Sequence, residues 1–352
     1  MILLPNRLRC FLDSVIPSYT MPEIICDEDL PKLLNTPSKQ AKWVKKLILK
    51  HLGSAVDRVD RPPMQGMFSR TLFLILKDKR EIVHQFRTEP LDLNAFKIAR
   101  QALGSIVPDA TALEDEELLA QGVWAYSFNL LPGEMWFRGI SGKWAQGRIA
   151  INKSLGRVLS KGCLANNSDE AVDGRIRSHL EALLASSEDD VKPYQHQLQS
   201  FVDKLEQLKE LPLWVAHYDL NEVNVLIDED CNVTGLVDWE LSTPLPFGIC
   251  FGRIHTYAGE YSGGEFCIPE EFEDAERAFW HELFDGMPTE IHRKLKGEMN
   301  LVQDAVILGT LLDCFAFENG KVIVGQVAKR ALPKLLTYQI PFIRGQGSPY
   351  RG

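Results

Sequence analysis

Residues 214–240 read W-V-A-H-Y-D-L-N-E-V-N-V-L-I-D-E-D-C-N-V-T-G-L-V-D-W-E. The stretch orders His217, Asp219, Asn224 and Asp238 on what reads as strand, loop, strand, turn and strand. Val223, Val225 and Ile227 alternate with Asn224, Leu226 and Asp228. A strand puts alternate side chains on opposite faces, so Asn224 stands on the face away from the apolar set. Residues 229–232 are rich in turn formers, and residues 233–237 resume an apolar strand. Such a hairpin brings Asn224 near Asp238, with Asp219 in the loop just before it. One amide and one carboxylate oxygen are hard donors that suit Mg²⁺. A second carboxylate nearby is placed to take the proton of an attacking hydroxyl. Taken singly, Asp219, Asn221 and Asn224 are ordinary turn and cap residues and Asp238 a loop acid. The ordered set between apolar strands is what points to a metal-nucleotide site with a base.

The bulk composition narrows the partners. A chain of 352 residues suits one large two-lobed domain or two domains. Hydrophobic content of 45% and charged content of 25% are ordinary for a soluble globular protein. A net charge of -9 argues against nucleic acid, whose phosphates require a concentrated basic face. The seven cysteines are scattered and include no C-x-x-C pair, which fits a reduced compartment better than a disulfide framework or a zinc site. Only Ile2, Leu3 and Leu4 separate Met1 from Pro5, too few for a signal sequence, and no apolar run has the length of a membrane span. The expectation is a cytoplasmic protein with no membrane partner.

Outward from the hairpin, the elements segregate. Residues 1–36 read as an irregular arm, and Ser38 as the cap of a helix over 40–52 with Trp43, Leu47 and Leu52 in a partial stripe. Residues 71–77 and 81–87 read as two strands joined by the turn Asp78-Lys79-Arg80. A helix over 93–103 is closed by Gly104, and 123–131 reads as a strand ending at Pro132-Gly133. Helices are expected over 144–160, 172–184, 191–208, 270–284 and 301–317, interrupted by the hairpin. Strands with one helix, followed by a helical body, predict an α+β fold in two lobes. The expected division is an arm (1–36), a β-rich N-lobe (37–128), a hinge (129–133) and a helical C-lobe (134–352). A small ligand is expected in a cleft between lobes.

The motif H-Y-D-L-N-E-V-N-V-L-I-D (217–228), followed by G-L-V-D-W-E (235–240), resembles the aminoglycoside phosphotransferase and choline-kinase-like family. The family pattern is H-G-D-x-x-x-x-N, a hairpin, then I-D-W-E. With Q-F-R (85–87) and P-L-P-F-G (244–248), the chain looks most like fungal members of unassigned substrate. The resemblance implies a protein-kinase-like fold, ATP and Mg²⁺ as cofactors, and a small-molecule hydroxyl as acceptor. It implies Asp219 as catalytic base, Asn224 and Asp238 as Mg²⁺ ligands, and His217 as a buried brace of the loop. Tyr218 stands where the family has glycine, and Tyr218 and Glu240 are the candidate acceptor contacts. Kinases of this fold cover the phosphates with a glycine-bearing hairpin and a strand lysine. Here the loop 64–70 carries Gly66 and Ser69, while the strand 81–87 holds no lysine. Gln85 stands in its place, Arg87 is the nearest cation on that face, and the helix 93–103 offers no glutamate partner. Asn129 and Leu131 stand where an adenine would meet hinge backbone.

Other constellations fail on spacing. Asp228, Asp230 and Asn232 mimic a calcium loop, but Val233 and Trp239 occupy its glycine and glutamate positions. Gly142-Lys143 has no glycine at the distance a phosphate loop needs, no G-x-S-x-G elbow exists, and His281 and His292 are too far apart for a helical metal pair. The acidic stretch 265–290 reads as a solvated helix face, or as a site for an amine-bearing acceptor. Two rivals to a phosphotransferase stay open: a pseudokinase-like binding protein, and a non-kinase biosynthetic enzyme reusing the same cleft.

Overall fold

The computed structural model describes residues 23–240, 242–262, 265–318 and 321–344. Of the expected arm, the part up to residue 22 lies outside the described residues. The chain divides into two compact units, one of residues 23–100 and 105–131, the other of 101–104 and 132–344 within the described range.

The first unit is built on an antiparallel sheet in the order β1 (Val56–Asp60), β2 (Ser69–Leu76), β3 (Glu81–Arg87), β5 (Trp124–Asn129), β4 (Ala110–Ala112). Alternation in β2 and β3 buries Leu72, Leu74, Leu76, Ile82 and Phe86 in one core. The helix Pro37–Leu52 supplies Val44, Leu47 and Ile48 to it, at the i, i+3, i+4 spacing of a buried stripe. Full burial of each such side chain contributes roughly 1.5–3 kcal/mol. The cap of this helix is Thr36 and not Ser38: the Thr36 hydroxyl accepts from the Lys39 N–H at 3.4 Å. Pro37 sets the first helical φ and needs no N–H partner, so the helix begins there and Ser38 lies inside it. Residues 24–34 of the expected arm pack on this unit, with Ile24, Leu30 and Leu34 buried in the same core. β1 and β4 went unread because V-D-R-V-D and A-T-A are short edge strands of mixed polarity.

The second unit is mainly helical and includes two three-stranded sheets. One sheet is ordered β10 (Val233–Leu236), β9 (Val225–Ile227), β6 (Glu134–Met135); the other β11 (Leu245–Pro246), β8 (Leu213–Trp214), β7 (Cys163–Ala165). The helix Met299–Cys314 is apolar nearly all round and buries Val302, Ala305, Val306, Leu308, Leu311 and Leu312. The helices Trp144–Leu159 and Phe272–Asp285 meet so closely at Gly156 that a side chain there would collide with the Phe279 backbone. Three expected helices differ in detail. The first opens with a π turn, Val172–Ile176, before Arg177–Leu184. Pro193 begins the next as a 3-10 turn, and it breaks at Lys204. The last ends at Cys314, where Phe315 turns extended and Ala316–Glu318 pairs with Lys321–Ile323. The α+β class is the expected one. No helix among the described residues is long and apolar enough to cross a membrane.

Candidate active site

The hairpin β9–β10 pairs Val225 with Leu236 and Ile227 with Val233, with a bulge beside Val233. The ladder runs one residue further, where the Val237 N–H donates to the Asn224 carbonyl at 2.9 Å. That bond makes Val237 the cross-strand neighbour of Asn224, and Asp238 is the next residue, where the chain leaves the ladder. The hairpin turn is closed by Asp228, whose carboxylate accepts the N–H groups of Asp230 at 3.0 Å and Asn232 at 2.8 Å. The false calcium loop is therefore a turn held by its first acid.

Asp219 sits in a dense set of bonds. The Asn224 amide nitrogen donates to the Asp219 carbonyl at 2.8 Å and to its Oδ2 at 3.1 Å. Arg253 donates to Oδ1 at 2.9 Å and, from the same nitrogen, to the Tyr218 carbonyl at 2.8 Å. With its nitrogen so engaged, Asn224 presents its amide oxygen as the remaining donor to a cation. Asp238 is exposed and holds φ +67°, a strained backbone for a residue with a side chain. The other such non-glycine residues among those described, Lys79 and Cys231, lie in hairpin turns, whereas Asp238 follows a strand. An amide oxygen and an exposed carboxylate on neighbouring positions fit Mg²⁺, which takes few protein oxygens and fills its remaining positions with water and phosphate.

His217 links the loop to the strand. Its Nε2 lies 2.7 Å from the Val237 carbonyl, which places the ring proton on Nε2. Burial pushes its pKa down to about 4, helped by the Arg253 cation, so it is neutral at pH 7 and serves as a tie between loop and strand. Its ring meets the buried Trp239 edge-on at 4.5 Å. The neighbouring Tyr218 donates its N–H to Ser242 Oγ at 3.3 Å, and its phenol hydroxyl is buried. Tyr218 lines a cavity of about 20 Å³ with His217, Cys250, Arg253 and Asp313. That volume admits one water and no substrate. Glu240 is half-buried just beyond Trp239.

Arg253 and Asp313 were missed in the sequence. Arg253 keeps its charge: burial opposes it, and the carboxylates of Asp313 and Asp219 outweigh burial and push its pKa up. The available signal was a single cation in the apolar run L-P-F-G-I-C-F-G-R-I, because a buried arginine requires paired acids.

In the β-rich unit, β2 pairs Ser69 with Arg87 and Thr71 with Gln85, which puts these four on one sheet face. Gln85 donates to Thr71 Oγ1 at 3.4 Å, Arg87 to Gln85 Oε1 at 3.5 Å, and the Ser69 and Thr71 hydroxyls are 3.4 Å apart. Gly66 lies against Ser69, as a Cβ there would stand 3.1 Å from the Ser69 hydroxyl. Gln65, also unread in the sequence, clamps Thr71 by accepting its N–H at 2.8 Å and donating to its carbonyl at 3.1 Å. Arg87, the cation at the expected place, is only 5% exposed. Asn129 accepts the Asp109 N–H at 2.6 Å, so its side chain is committed to the loop, and Leu131 is buried.

The acidic stretch is largely paired. Glu271 meets Arg148 at 2.9 Å, Glu282 meets Arg157 at 3.1 Å, and Glu276 is fully buried against Arg344. The expectation of a uniformly solvated face fails at Glu276, whose location on the inner side of its helix requires a buried cation. Among the described residues, no group of three or more His, Cys, Asp and Glu side chains is placed to hold a metal ion.

Residues 159–263 match the model of the phosphotransferase enzyme family, and this stretch holds the whole constellation from His217 to Arg253. The resemblance to that family rests on this stretch. No curated protein matches the chain. Among solved structures, aminoglycoside phosphotransferase APH(4)-Ia is similar at 14% identity and a TM-score of 0.46, over 78% of this chain and 98% of that one. Macrolide 2'-phosphotransferase MphH from Brachybacterium faecium is similar at 15% identity and a TM-score of 0.47, over 76% of this chain and 90% of that one. An ethanolamine kinase from Plasmodium vivax is similar at 13% identity and a TM-score of 0.49, over 87% and 84%.

Proposed function

We propose that the protein is an ATP- and Mg²⁺-dependent phosphotransferase acting on a hydroxyl of a small molecule. The observation that carries the reading is the joint geometry of Asp219, Asn224 and Asp238. Asn224 binds Asp219 through its amide nitrogen at 3.1 Å, and the Val237–Asn224 ladder bond of 2.9 Å brings the residue before Asp238 against Asn224. Asn224 and Asp238 would hold the metal, which when bound offsets phosphate charge. Asp219 accepts the proton of the acceptor hydroxyl and orients its oxygen. Phosphoryl transfer asks little more of a protein than positioning and charge neutralisation. Gly66, Ser69 and Gln85 would meet the nucleotide phosphates through backbone and amide groups, with Arg87 adding positive potential, and backbone at Asn129 and Leu131 would meet the base.

The acceptor in this reading is a small molecule whose cationic character is not required, because Glu271, Glu276 and Glu282 already hold arginines. Tyr218, with its hydroxyl turned inward, shapes acceptor choice through the form of the loop, and Glu240 stands at its edge. The six described cysteines are free, which fits work in a reducing compartment such as the cytoplasm. The covered position of Arg87 favours one rival, a nucleotide-binding protein without transfer. A thermal shift titration separates the two from a protein that binds no nucleotide at all. A ligand of the native state raises stability by about 2.7 kcal/mol at a hundredfold excess over its Kd. We expect stabilisation by ATP that requires Mg²⁺; none at millimolar nucleotide would sink the proposal.

A further inference from the structure

We propose that Arg253 and Asp313 form a positioning pair that fixes Asp219 for transfer, so that the helix Met299–Cys314 sets the competence of the catalytic loop. The inference rests on the phosphotransferase reading and adds two residues to it. One Arg253 nitrogen holds both the Tyr218 carbonyl and the Asp219 carboxylate, at 2.8 and 2.9 Å. The guanidinium Nε faces Asp313 at 3.5 Å. A guanidinium presents its donors in a fixed fork, so a single group orients the loop backbone and the Asp219 side chain together.

Asp313 occupies the last turn of its helix, where a negative charge opposes the helix dipole. Helix stability does not account for an acid there, and the Arg253 cation does. The junction between loop and helix is also tight. A side chain at Gly252 would collide with the Gly309 backbone, and Thr310 Oγ1 donates to the Gly252 carbonyl at 2.7 Å. Gly309 lies one helical turn before Asp313, so this contact brings Arg253 alongside that acid. The charged groups facing Arg253 are Asp219 and Asp313, and the phenols of Tyr218 and Tyr257 also bear on it. Arg253 and Asp313 line the small cavity together with His217 and Tyr218, so loop and helix share its wall. Removing the cation would take the positive charge from between two carboxylates.

The test uses the full chain with MgATP as the probe and water as acceptor, followed by phosphate release, with hydrogen exchange read at amides 217–224. Arg253→Met is expected to lower kcat about 100-fold with the ATP KM within about threefold, as a misplaced catalytic group does. Arg253→Lys is expected to recover to within about 10-fold of wild type, and Asp313→Asn to lose about 10-fold. Exchange at 217–224 should rise in Arg253→Met and Asp313→Asn and stay near wild type in Arg253→Lys. Wild-type kcat and wild-type protection in both Arg253→Met and Asp313→Asn would overturn the pair. Should Arg253→Met fail to fold, Asp313→Asn decides by the same two readouts. If the wild type releases no phosphate from MgATP, the phosphotransferase reading falls, while hydrogen exchange still judges the pair.

Discussion

The hairpin of the helical unit and the strand face of the β-rich unit hold their polar residues differently. Around Asp219, the side-chain bonds run from 2.8 to 3.1 Å and end on buried or half-buried partners. Across Ser69, Thr71, Gln85 and Arg87 they run from 3.4 to 3.5 Å, at the long limit of a hydrogen bond. Short, mutually supporting bonds fix a group before its ligand arrives, which is what a transfer step requires. Long bonds give way readily, as groups do that exchange internal partners for a phosphate. In the proposed reading, the hairpin would do the chemistry and the sheet would offer adjustable nucleotide contact.

Breaking the hairpin should cost most. Asp219→Asn exchanges an acceptor for an amide opposite Arg253 and is expected to lower kcat by about 1000-fold or more, read by phosphate release. Asp238→Asn keeps a residue that tolerates φ +67° and removes the metal-binding charge. It is expected to lower kcat about 100-fold and to abolish the part of the ATP thermal shift that depends on Mg²⁺, which Asp219→Asn should leave in place. Arg87→Met on the sheet face should weaken ATP about 10-fold in a binding titration, with kcat changed far less. An equal loss of kcat in Arg87→Met and Asp219→Asn would erase the division of labour.

Acid sensitivity sharpens the comparison from another side. Burial lowers His84 of the β-rich unit to about 3, and His179 and His217 of the helical unit to about 4, from the ordinary 6.5. These are lowered values, so their contribution to stability is complete above pH 6.5 and is lost as pH falls toward the folded values. Each removes up to about 1.4 kcal/mol per pH unit in that window, since the unfolded chain takes the proton first. Neither His84 ring nitrogen has a hydrogen-bond partner, so His84→Leu gives up no bond. That variant should match wild type at pH 8 and gain about 2 kcal/mol at pH 5 in denaturant melts. The smallest effect expected is Thr36→Ala, which removes the cap of the helix Pro37–Leu52 and should cost about 1 kcal/mol.

The hairpin of the candidate site was legible because its information is local. Alternation from Val223 to Asp228 fixes the face of Asn224, and the turn residues fix where the second strand starts. The same holds for β2 and β3, whose apolar alternation spans the turn at Lys79. What was not legible depends on distance in sequence. Arg253 lies 34 residues from Asp219 and Asp313 lies 60 beyond Arg253, so no period or motif joins them. Gln65 clamps Thr71 from inside a loop that reads only as a turn. β1 escaped because three of its five residues are charged and Val56 and Val59 are only partly buried, and Glu276 because a buried ion pair imitates a surface acid in sequence. Gln85 and Arg87 were read on one strand face; the register adds Ser69 and Thr71 to it.

The measurement that bears most directly on the central claim is transfer of labelled phosphate. A cell extract would be incubated with γ-labelled ATP, Mg²⁺ and the purified protein, and small molecules would be screened by mass spectrometry. The account predicts one labelled phosphate ester with the wild-type protein and none with Asp219→Asn. Equal labelling by the two proteins, or ATP-independent conversion of a metabolite by the wild type, would contradict it.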